Sequence, residues 1–245
     1  MKNFLNALRL RKQSFPEPAA FAEVERAERI FYLGYLREGM TVFDIGANVG
    51  ELTLLFSRFV GETGRVHAFE ASSATFKRLE LICSAAEKQN VVLNHSALSN
   101  KSGSIQLHVY DDVYSSFNSQ AARPLNNYGL SLEPVGVENV PAATVDDYCE
   151  SKKIERVDLL KIDVEGAELQ VMQGASQMLK SQRIRCLTFE FGQTTFDMGN
   201  SPAEIEAYLK GLNYKIRNVI KNDPVFPGRE SVATAAYSMH VATPD

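Results

Sequence analysis

"VFDIGANVG", residues 42–50, places an aspartate, an asparagine and two glycines within or directly behind a short apolar run. Glycine is favoured where the backbone turns tightly or approaches another group closely, and it weakens regular elements elsewhere. The apolar residues predict a β-strand, and the residues after them predict a tight turn. We therefore interpret this stretch as a strand that ends in a ligand-binding turn.

Composition limits the class of protein. A chain of 245 residues with 44% hydrophobic and 23% charged residues is typical of one large globular domain. The formal net charge of −4 disfavours a nucleic-acid-binding surface. Cys83, Cys149 and Cys186 are scattered and odd in number, which favours buried free thiols over a disulfide framework and predicts a cytoplasmic protein.

Strand and helix patterns alternate after residue 40, which predicts an α/β fold with a doubly wound, mainly parallel sheet. Strands are predicted at 41–45, 65–70, 91–98, 157–163 and 184–191, with closing strands at 214–220 and 235–242. Helices are predicted at 51–60, 73–89, 144–152, 166–181 and 201–212. Thr144 and Ser201 are the predicted N-caps of two of these helices.

Two regions depart from this alternation. Residues 103–112 and 133–143 alternate apolar and polar side chains, which predicts extra antiparallel edge strands around a variable loop at 113–132. Residues 1–38 form a predicted N-terminal helical segment ahead of a main domain at 39–245. Basic and apolar residues mix within residues 1–12, so this segment is a hypothetical contact with a membrane, a second subunit or the domain itself.

The turn and the next strand together indicate a nucleoside. Open parallel sheets bind ligands at the carboxyl ends of their strands, where Gly46 and Gly50 lie. Glu70 ends the second strand, where a carboxylate can accept hydrogen bonds from both ribose hydroxyls. Asn48 replaces the middle glycine of a dinucleotide fingerprint, and Asp44 would repel a diphosphate but suit a sulfonium or ammonium group. The pattern favours S-adenosylmethionine over NAD, and the alternative is that both glycines only pack helix against strand.

Further motifs carry a family resemblance. They are "FDIGANVG" (43–50), Glu70, "NHSALSN" (94–100), "TVDDY" (144–148), "LLKIDVEGAE" (159–168) and "TFEF" (188–191). In this order they resemble the FkbM-type methyltransferases, over about residues 39–214. The resemblance implies a Rossmann-like, class I methyltransferase fold with seven strands in the order 3-2-1-4-5-7-6, the last antiparallel. It also implies S-adenosylmethionine-dependent methylation of hydroxyl groups on macrocycles, sugars or glycolipids.

The resemblance also implies site residues. A cofactor site would comprise Asp44, Gly46, Ala47, Asn48, Gly50, Glu70, Ser96, Ala97 and Asp163. Within this set, Glu70 would hold the ribose, and Ser96 and Ala97 would border the adenine. The alternative for Ser96 and Ala97 is an ordinary corner between a strand and a loop.

An alcohol acceptor must lose a proton, which requires a nearby base. Asp163 and Glu190 end adjacent strands and are the predicted catalytic carboxylates, with Glu165 close behind. Asp163 alternatively caps a helix that starts near Glu165. Glu190 alternatively forms a salt bridge with Lys161, although a carboxylate in an apolar strand favours a cleft. Glu165 and Glu168 alternatively are acids in the first turn of a helix.

A divalent metal is a further hypothesis for the same carboxylates. Asp163 and Glu190 together would suit Mg²⁺, but no third ligand stands at a recognisable spacing and the histidines form no ligand pair. The sequence therefore favours a metal-free site.

Three functions remain open from the sequence. The leading one is an S-adenosylmethionine-dependent O-methyltransferase that acts on a small molecule, sugar or glycolipid. The others are an NAD(P)-dependent oxidoreductase, which Asn48 and the lack of a Tyr-x-x-x-Lys pair disfavour, and a catalytically silent module that binds a partner. The acceptor, the oligomeric state and the choice between oxygen and nitrogen are not encoded in any motif we identify.

Overall fold

The computed structural model describes residues 18–111, 114–125 and 132–245, with side chains from residue 21 onward. We number the elements in chain order. The strands are β1 (Thr41–Ile45), β2 (Arg65–Glu70), β3 (Val91–His95), β4 (Ala97–Leu98), β5 (Gly103–Val109), β6 (Gly136–Ala143), β7 (Leu159–Ile162), β8 (Leu187–Phe191), β9 (Tyr214–Asn218) and β10 (Ser238–Pro244). The helices are α1 (Pro18–Tyr35), α2 (Glu51–Val60), α3 (Ser73–Ala85), α4 (Val145–Lys152), α5 (Glu168–Gly174), α6 (Ser176–Lys180), α7 (Gln193–Asp197) and α8 (Pro202–Gly211).

Seven strands form the main sheet, in the order β3-β2-β1-β7-β8-β10-β9. The first five strands in this order run parallel to one another, and β10 runs antiparallel to both β8 and β9. Counted along this sheet alone, the order is 3-2-1-4-5-7-6, so the predicted doubly wound α/β sheet is confirmed. Because β1 lies between β2 and β7, the carboxyl ends of these three strands meet at one edge of the sheet.

A second, three-stranded sheet has the order β4-β6-β5. β5 and β6 pair antiparallel along their length, as the alternating pattern predicts. The single predicted strand at 91–98 is wrong, because the chain leaves β3 at His95 and joins the second sheet at Ala97. The polar sequence Asn94–His95–Ser96 interrupts the apolar run at this corner.

Helix ends follow local chemistry. The Thr144 hydroxyl accepts a hydrogen bond from the backbone N–H of Asp147, and the Ser201 hydroxyl accepts one from Glu204, so both predicted N-caps are confirmed. The predicted helix at 166–181 is two helices that meet at Ala175. The one predicted at 73–89 ends early, at Ala85.

The N-terminal helix α1 packs on the main sheet beside β10. Val24, Glu28, Tyr32 and Leu36 are all buried, one helical turn apart. The Tyr32 hydroxyl lies 2.9 Å from the Thr188 hydroxyl on β8, which ties the helix to the sheet. The predicted membrane contact at residues 1–12 lies outside the described residues, as do residues 113 and 126–131 of the predicted variable loop.

Within the described ranges, none of the helices combines the length and the apolar character needed to cross a bilayer. The three cysteines are free and buried, as predicted.

Candidate functional site

The turn after β1 passes close to its neighbours. Gly46 has a φ of 77°, and a Cβ at this position would collide with the carbonyl oxygen of Asp163. The backbone N–H groups of Gly46 and Ala47 both donate to the carbonyl oxygen of Phe69, at 3.0 and 2.9 Å. Asn48 has a φ of 49°, a left-handed conformation that asparagine tolerates better than most residues. The turn therefore needs glycine at its start and is held between β2 and β7.

Glu70 closes the second strand beside this turn. Its Oε2 accepts a hydrogen bond from the backbone N–H of Asn48, and its Oε1 accepts one from Ser72, each at 2.9 Å. Burial raises the pKa of Glu70 to about 7, while these two hydrogen bonds lower it. Each oxygen keeps a lone pair for a further donor, as two ribose hydroxyls would provide.

A cavity opens above the carboxyl ends of β1, β2 and β7. Its lining is formed by Ile45, Gly46, Asn48, Phe69, Glu70, Ala71, Ser96, Ala97, Leu98, Ile105, Leu107, Ser115, Ser116, Asn118, Gln120, Asp163, Val164 and Glu165. The structure thus brings together Gly46, Asn48, Glu70, Ser96 and Ala97 from the predicted cofactor site.

Three predicted cofactor residues do not line the cavity. Asp44 is fully buried, Ala47 is 5% exposed, and a Cβ on Gly50, which caps α2, would collide with the Leu79 side chain. These neighbours leave no room for a ligand beside Asp44 or Gly50, so both residues support the turn from within the protein.

Asp44 is part of a buried charge network. Its Oδ2 accepts a hydrogen bond of 2.6 Å from the Thr53 hydroxyl, and its Oδ1 lies 3.2 Å from the Lys161 ammonium. The ammonium also lies 3.3 Å from Asp163 Oδ2 and 3.5 Å from the Gly46 carbonyl oxygen. Burial opposes the charge on Lys161, but Asp44 and Asp163 outweigh it and raise the lysine pKa. Lys161 thereby fixes the turn and one predicted catalytic carboxylate together.

Three carboxyl groups converge where β7 and β8 end. One oxygen each from Asp163, Glu165 and Glu190 lies within 4.8 Å of the other two. Asp163 is the more exposed of the two carboxylates that pair with Lys161, at 37% of its side chain, and it lines the cavity with Glu165. Glu190 is buried, and burial first, then the charges of Glu165 and Asp163, raise its pKa well above 4.5. Its surroundings therefore favour the protonated acid over the carboxylate.

Three alternatives for these residues are wrong. Helix α5 begins at Glu168, and none of the carboxylates before it caps it, so Asp163 is not a helix cap and Glu165 is not in a first turn. Lys161 pairs with Asp44 and Asp163, and none of the lysine or arginine side chains in the described ranges forms an ion pair with Glu190. Glu168 does lie in a first turn, where its Oε1 accepts hydrogen bonds from the N–H groups of Val164 and Gly166.

The third carboxylate bears on the metal hypothesis. The Glu165 carboxylate lies beside those of Asp163 and Glu190 and could provide the third oxygen ligand, which the spacing of residues in the sequence did not reveal. Three carboxylate oxygens suit a hard divalent cation. Two cations of the chain already contact the same cluster, since Lys161 pairs with Asp163 and the Arg123 guanidinium lies 3.0 Å from Glu165.

Sequence reasoning missed three residues. Ile105 and Leu107 of the second sheet line the cavity, together with Ser115 and Ser116 from the predicted variable loop. Glu28 of α1 is the third missed residue, and burial raises its pKa to about 7, although the charge of Lys161 lowers it. Glu28 was detectable in principle from the sequence, because it occupies one position of a stripe that repeats every four residues and is otherwise apolar.

The fold and the site together define a class of protein. A seven-stranded sheet with one antiparallel strand, a glycine turn after β1 and an acid closing β2 are the features of the Rossmann-like methyltransferases. A family model for the methyltransferase FkbM domain matches residues 44–216. The chain belongs to the FkbM methyltransferase family, as its motifs predict.

Curated relatives agree with this assignment. The chain is 30% identical to the 31-O-demethyl-FK506 methyltransferase FkbM of Streptomyces tacrolimicus over 223 residues, which cover 82% of each chain. It is 28% identical to the hexuronic acid methyltransferase AglP of Haloferax volcanii over 178 residues, which cover 72% of this chain and 67% of the relative.

Solved structures support the fold. Methyltransferase FkbM from Methylobacillus flagellatus superposes with a TM-score of 0.52 at 12% identity, covering 97% of this chain and 58% of that one. A putative rRNA methylase from Clostridium thermocellum gives a TM-score of 0.50, also at 12% identity, covering 90% and 94%. At this identity the likeness shows the fold alone.

Proposed function

We propose that the protein is an S-adenosylmethionine-dependent O-methyltransferase whose acceptor is a hydroxyl of a small molecule, sugar or glycolipid. The observation that carries the proposal is the placement of Glu70, Asn48 and Asp163 around one cavity. Glu70 would bind the ribose, the Gly46 turn would hold the methionine end, and Ser96 and Ala97 would border the adenine.

The cavity fits this cofactor on two counts. The turn lacks the glycine that lets a backbone approach a pyrophosphate, and Asn48 stands there instead. Asp163 and Glu165 place negative charge in the same cavity, where a sulfonium is favoured. When bound, S-adenosylmethionine supplies an activated methyl group together with its leaving group.

The side chains of the protein would position the acceptor and provide the base that removes its proton. We assign Asp163 as the base that takes the acceptor proton, because it lines the cavity and Lys161 keeps its charge compensated. Burial and the neighbouring carboxylates raise the pKa of Glu190 and favour its protonated form, so we assign it to orient Asp163 or the acceptor through a hydrogen bond rather than to remove a proton. Glu165 supplies negative charge beside them.

We propose transfer without a metal ion, because Lys161 and Arg123 already compensate the carboxylates that would bind one. A fixed cation beside each carboxylate weakens the attraction of that carboxylate for a second cation. Activity is then expected to survive EDTA and to gain nothing from added Mg²⁺.

The proposal that an oxygen atom accepts the methyl group rests on the names of two relatives. One is named for a 31-O-demethyl substrate and another for a hexuronic acid.

We also expect a cytoplasmic protein, because its three thiols are free and buried, as is typical of reducing compartments. The N-terminal segment at 1–38 remains a proposed lid or a proposed contact surface for a membrane or a second subunit.

The test is transfer of a labelled methyl group. The protein is incubated with methyl-labelled S-adenosylmethionine and a small-molecule extract of its own cells, and labelled products are identified by mass spectrometry. An O-methyl ether supports the proposal, and an N-methyl product contradicts it. A catalytically silent module would bind the cofactor and transfer nothing, with wild type and Asp163→Asn indistinguishable.

A further inference from the structure

Arg123 is a buried cation from the loop that follows β5. Its side chain is 2% exposed, and its guanidinium lies 3.0 Å from Glu165 and 3.4 Å from Asp197 at the end of α7. The same guanidinium lies 5.3 Å from the centre of the Phe117 ring. A buried guanidinium is stable only when its donors are paired, and its planar fork suits two carboxylates. Arg123 therefore joins the turn after β7 to the helix after β8.

The loop that carries Arg123 also reaches the cavity. Ser115, Ser116, Asn118 and Gln120 line the cavity together with the glycine turn. Ser119 pairs with His108 of β5 through two backbone hydrogen bonds, and its hydroxyl donates to the carbonyl oxygen of Glu165 at 3.0 Å. Residues 114–125 thus contact Glu165 twice, once at its backbone and once at its carboxylate.

Glu165 needs outside support to stay where it is. Its φ of 54° is a left-handed conformation that is unfavourable for a non-glycine residue. Its carboxylate stands within 4.8 Å of the carboxyl oxygens of Asp163 and Glu190, and the negative charge of Asp163 repels it. The contacts from Ser119 and Arg123 oppose both effects, because one fixes the backbone and the other compensates the charge.

We propose that Arg123 is a positioning residue that holds the Glu165 carboxylate against Asp163 and Glu190. Through it, the loop that lines the cavity and the carboxyl cluster at the transfer site form one unit. The link to methyl transfer rests on the proposed function, whereas the link between Arg123 and the position of Glu165 does not.

The experiment compares three variants. Arg123→Met removes the positive charge but keeps a long side chain. Arg123→Lys keeps the charge but loses the planar guanidinium that can pair with two carboxylates. Asp197→Asn removes the charge of the second carboxylate that pairs with Arg123 and leaves the contact between Arg123 and Glu165. Crystal structures give the position of the Glu165 carboxylate. Calorimetry with S-adenosylhomocysteine reports whether the cofactor site is intact, and labelled methyl transfer gives kcat and the KM for S-adenosylmethionine.

We expect Glu165 to leave the cluster in Arg123→Met and to stay in Asp197→Asn. Methyl transfer should fall roughly 100-fold in kcat for Arg123→Met, with the KM for the cofactor unchanged and part of the rate restored in Arg123→Lys. The proposal is overturned if Glu165 stays in the cluster in Arg123→Met, or if kcat is unchanged. If Arg123→Met does not fold, Arg123→Lys and Ser119→Ala decide the same question, since each weakens one of the two contacts.

The crystallographic result separates this proposal from the proposed function. A protein that transfers no methyl group would contradict the function, yet displacement of Glu165 would still support the link to Arg123. A protein that transfers the group with Glu165 in place in Arg123→Met would contradict only the positioning proposal.

Discussion

The Lys161 ammonium lies 3.2 Å from Asp44 Oδ1, and both side chains are buried, at 2% and 0% exposure. The pair joins β1 to β7 directly beneath the glycine turn, because Asp44 and Lys161 are register partners in the sheet. One cation thus anchors the proposed cofactor turn and, through Asp163, the proposed catalytic carboxylate.

Replacing Lys161 should therefore destabilise the fold. Lys161→Met leaves the buried Asp44 carboxylate with the Thr53 hydroxyl but without its cation, which costs about 3–5 kcal/mol. Lys210→Met removes an exposed lysine that pairs with Glu206 on the same helix, where a pair contributes under about 1 kcal/mol. Urea denaturation of both variants measures the difference, and equal losses of unfolding free energy would contradict this account.

Adding a methyl group at Gly46 should disrupt the turn. Gly46→Ala forces a Cβ into the carbonyl oxygen of Asp163 at a φ of 77°, so we expect a destabilised protein that no longer binds S-adenosylhomocysteine. Gly34→Ala is the matched control, because a Cβ there meets nothing within 4 Å and helix α1 should gain about 0.5–1 kcal/mol. Thermal unfolding and calorimetry check both variants, and a fully active Gly46→Ala would refute the proposed turn.

Glu28 should make stability depend on pH. Its pKa is about 7 in the folded protein against 4.5 ordinarily, so the folded state binds more protons than the unfolded state between these values. Its contribution to the unfolding free energy therefore falls as pH rises from 4.5 through 7. Glu28→Gln keeps an acceptor for the Tyr32 hydroxyl, which donates at 2.7 Å, and should stabilise the protein by about 1–3 kcal/mol at pH 8 but not at pH 4.5.

The control for this prediction is the exposed Glu23 on the same helix. Glu23→Gln should leave the pH profile of the unfolding free energy unchanged. Urea denaturation from pH 4.5 to 8 measures all three proteins. A Glu28→Gln profile parallel to that of the wild type would show that Glu28 is ionised across the whole range.

The two carboxyl groups at the ends of β7 and β8 should differ in their effect on transfer. Asp163→Asn removes the proposed base, and we expect a loss of roughly 10²–10⁴-fold in kcat, whereas Glu190→Gln should lose less than about tenfold because Gln resembles the protonated acid. Initial rates of labelled methyl transfer compare them. A Glu190→Gln variant as impaired as Asp163→Asn would assign the base to Glu190 instead.

Much of the sheet was predictable because each strand is a short apolar run bounded by turn residues. The β1–Gly46 turn and Glu70 stand in the places that the sequence predicts. Boundaries were less predictable where two elements meet without a strong break, as at Ala175, where the chain bends between α5 and α6 within a continuous apolar pattern. Periodicity reports which face is buried and does not report a bend.

The site was harder to predict because it depends on contacts far apart in sequence. Lys161 is one of 26 lysines and arginines, and only the register of β1 with β7 shows that it pairs with Asp44. Arg123 lies in a polar loop, and only the folded chain brings it to Glu165. Glu190 was identified as unusual from its apolar surroundings, but burial and then the charges of Glu165 and Asp163 raise its pKa, and no spacing in the sequence reveals how close those two residues lie.

The central claim is that Glu70 and the Gly46 turn bind a sulfonium nucleoside, and calorimetry tests it most directly. Wild-type protein, Glu70→Ala and the exposed control Glu23→Gln are each titrated with S-adenosylhomocysteine and with NAD⁺. We predict that wild type and Glu23→Gln bind S-adenosylhomocysteine, that Glu70→Ala does not, and that none of the three binds NAD⁺. Binding of NAD⁺ by the wild type, with no heat from S-adenosylhomocysteine, would contradict the account.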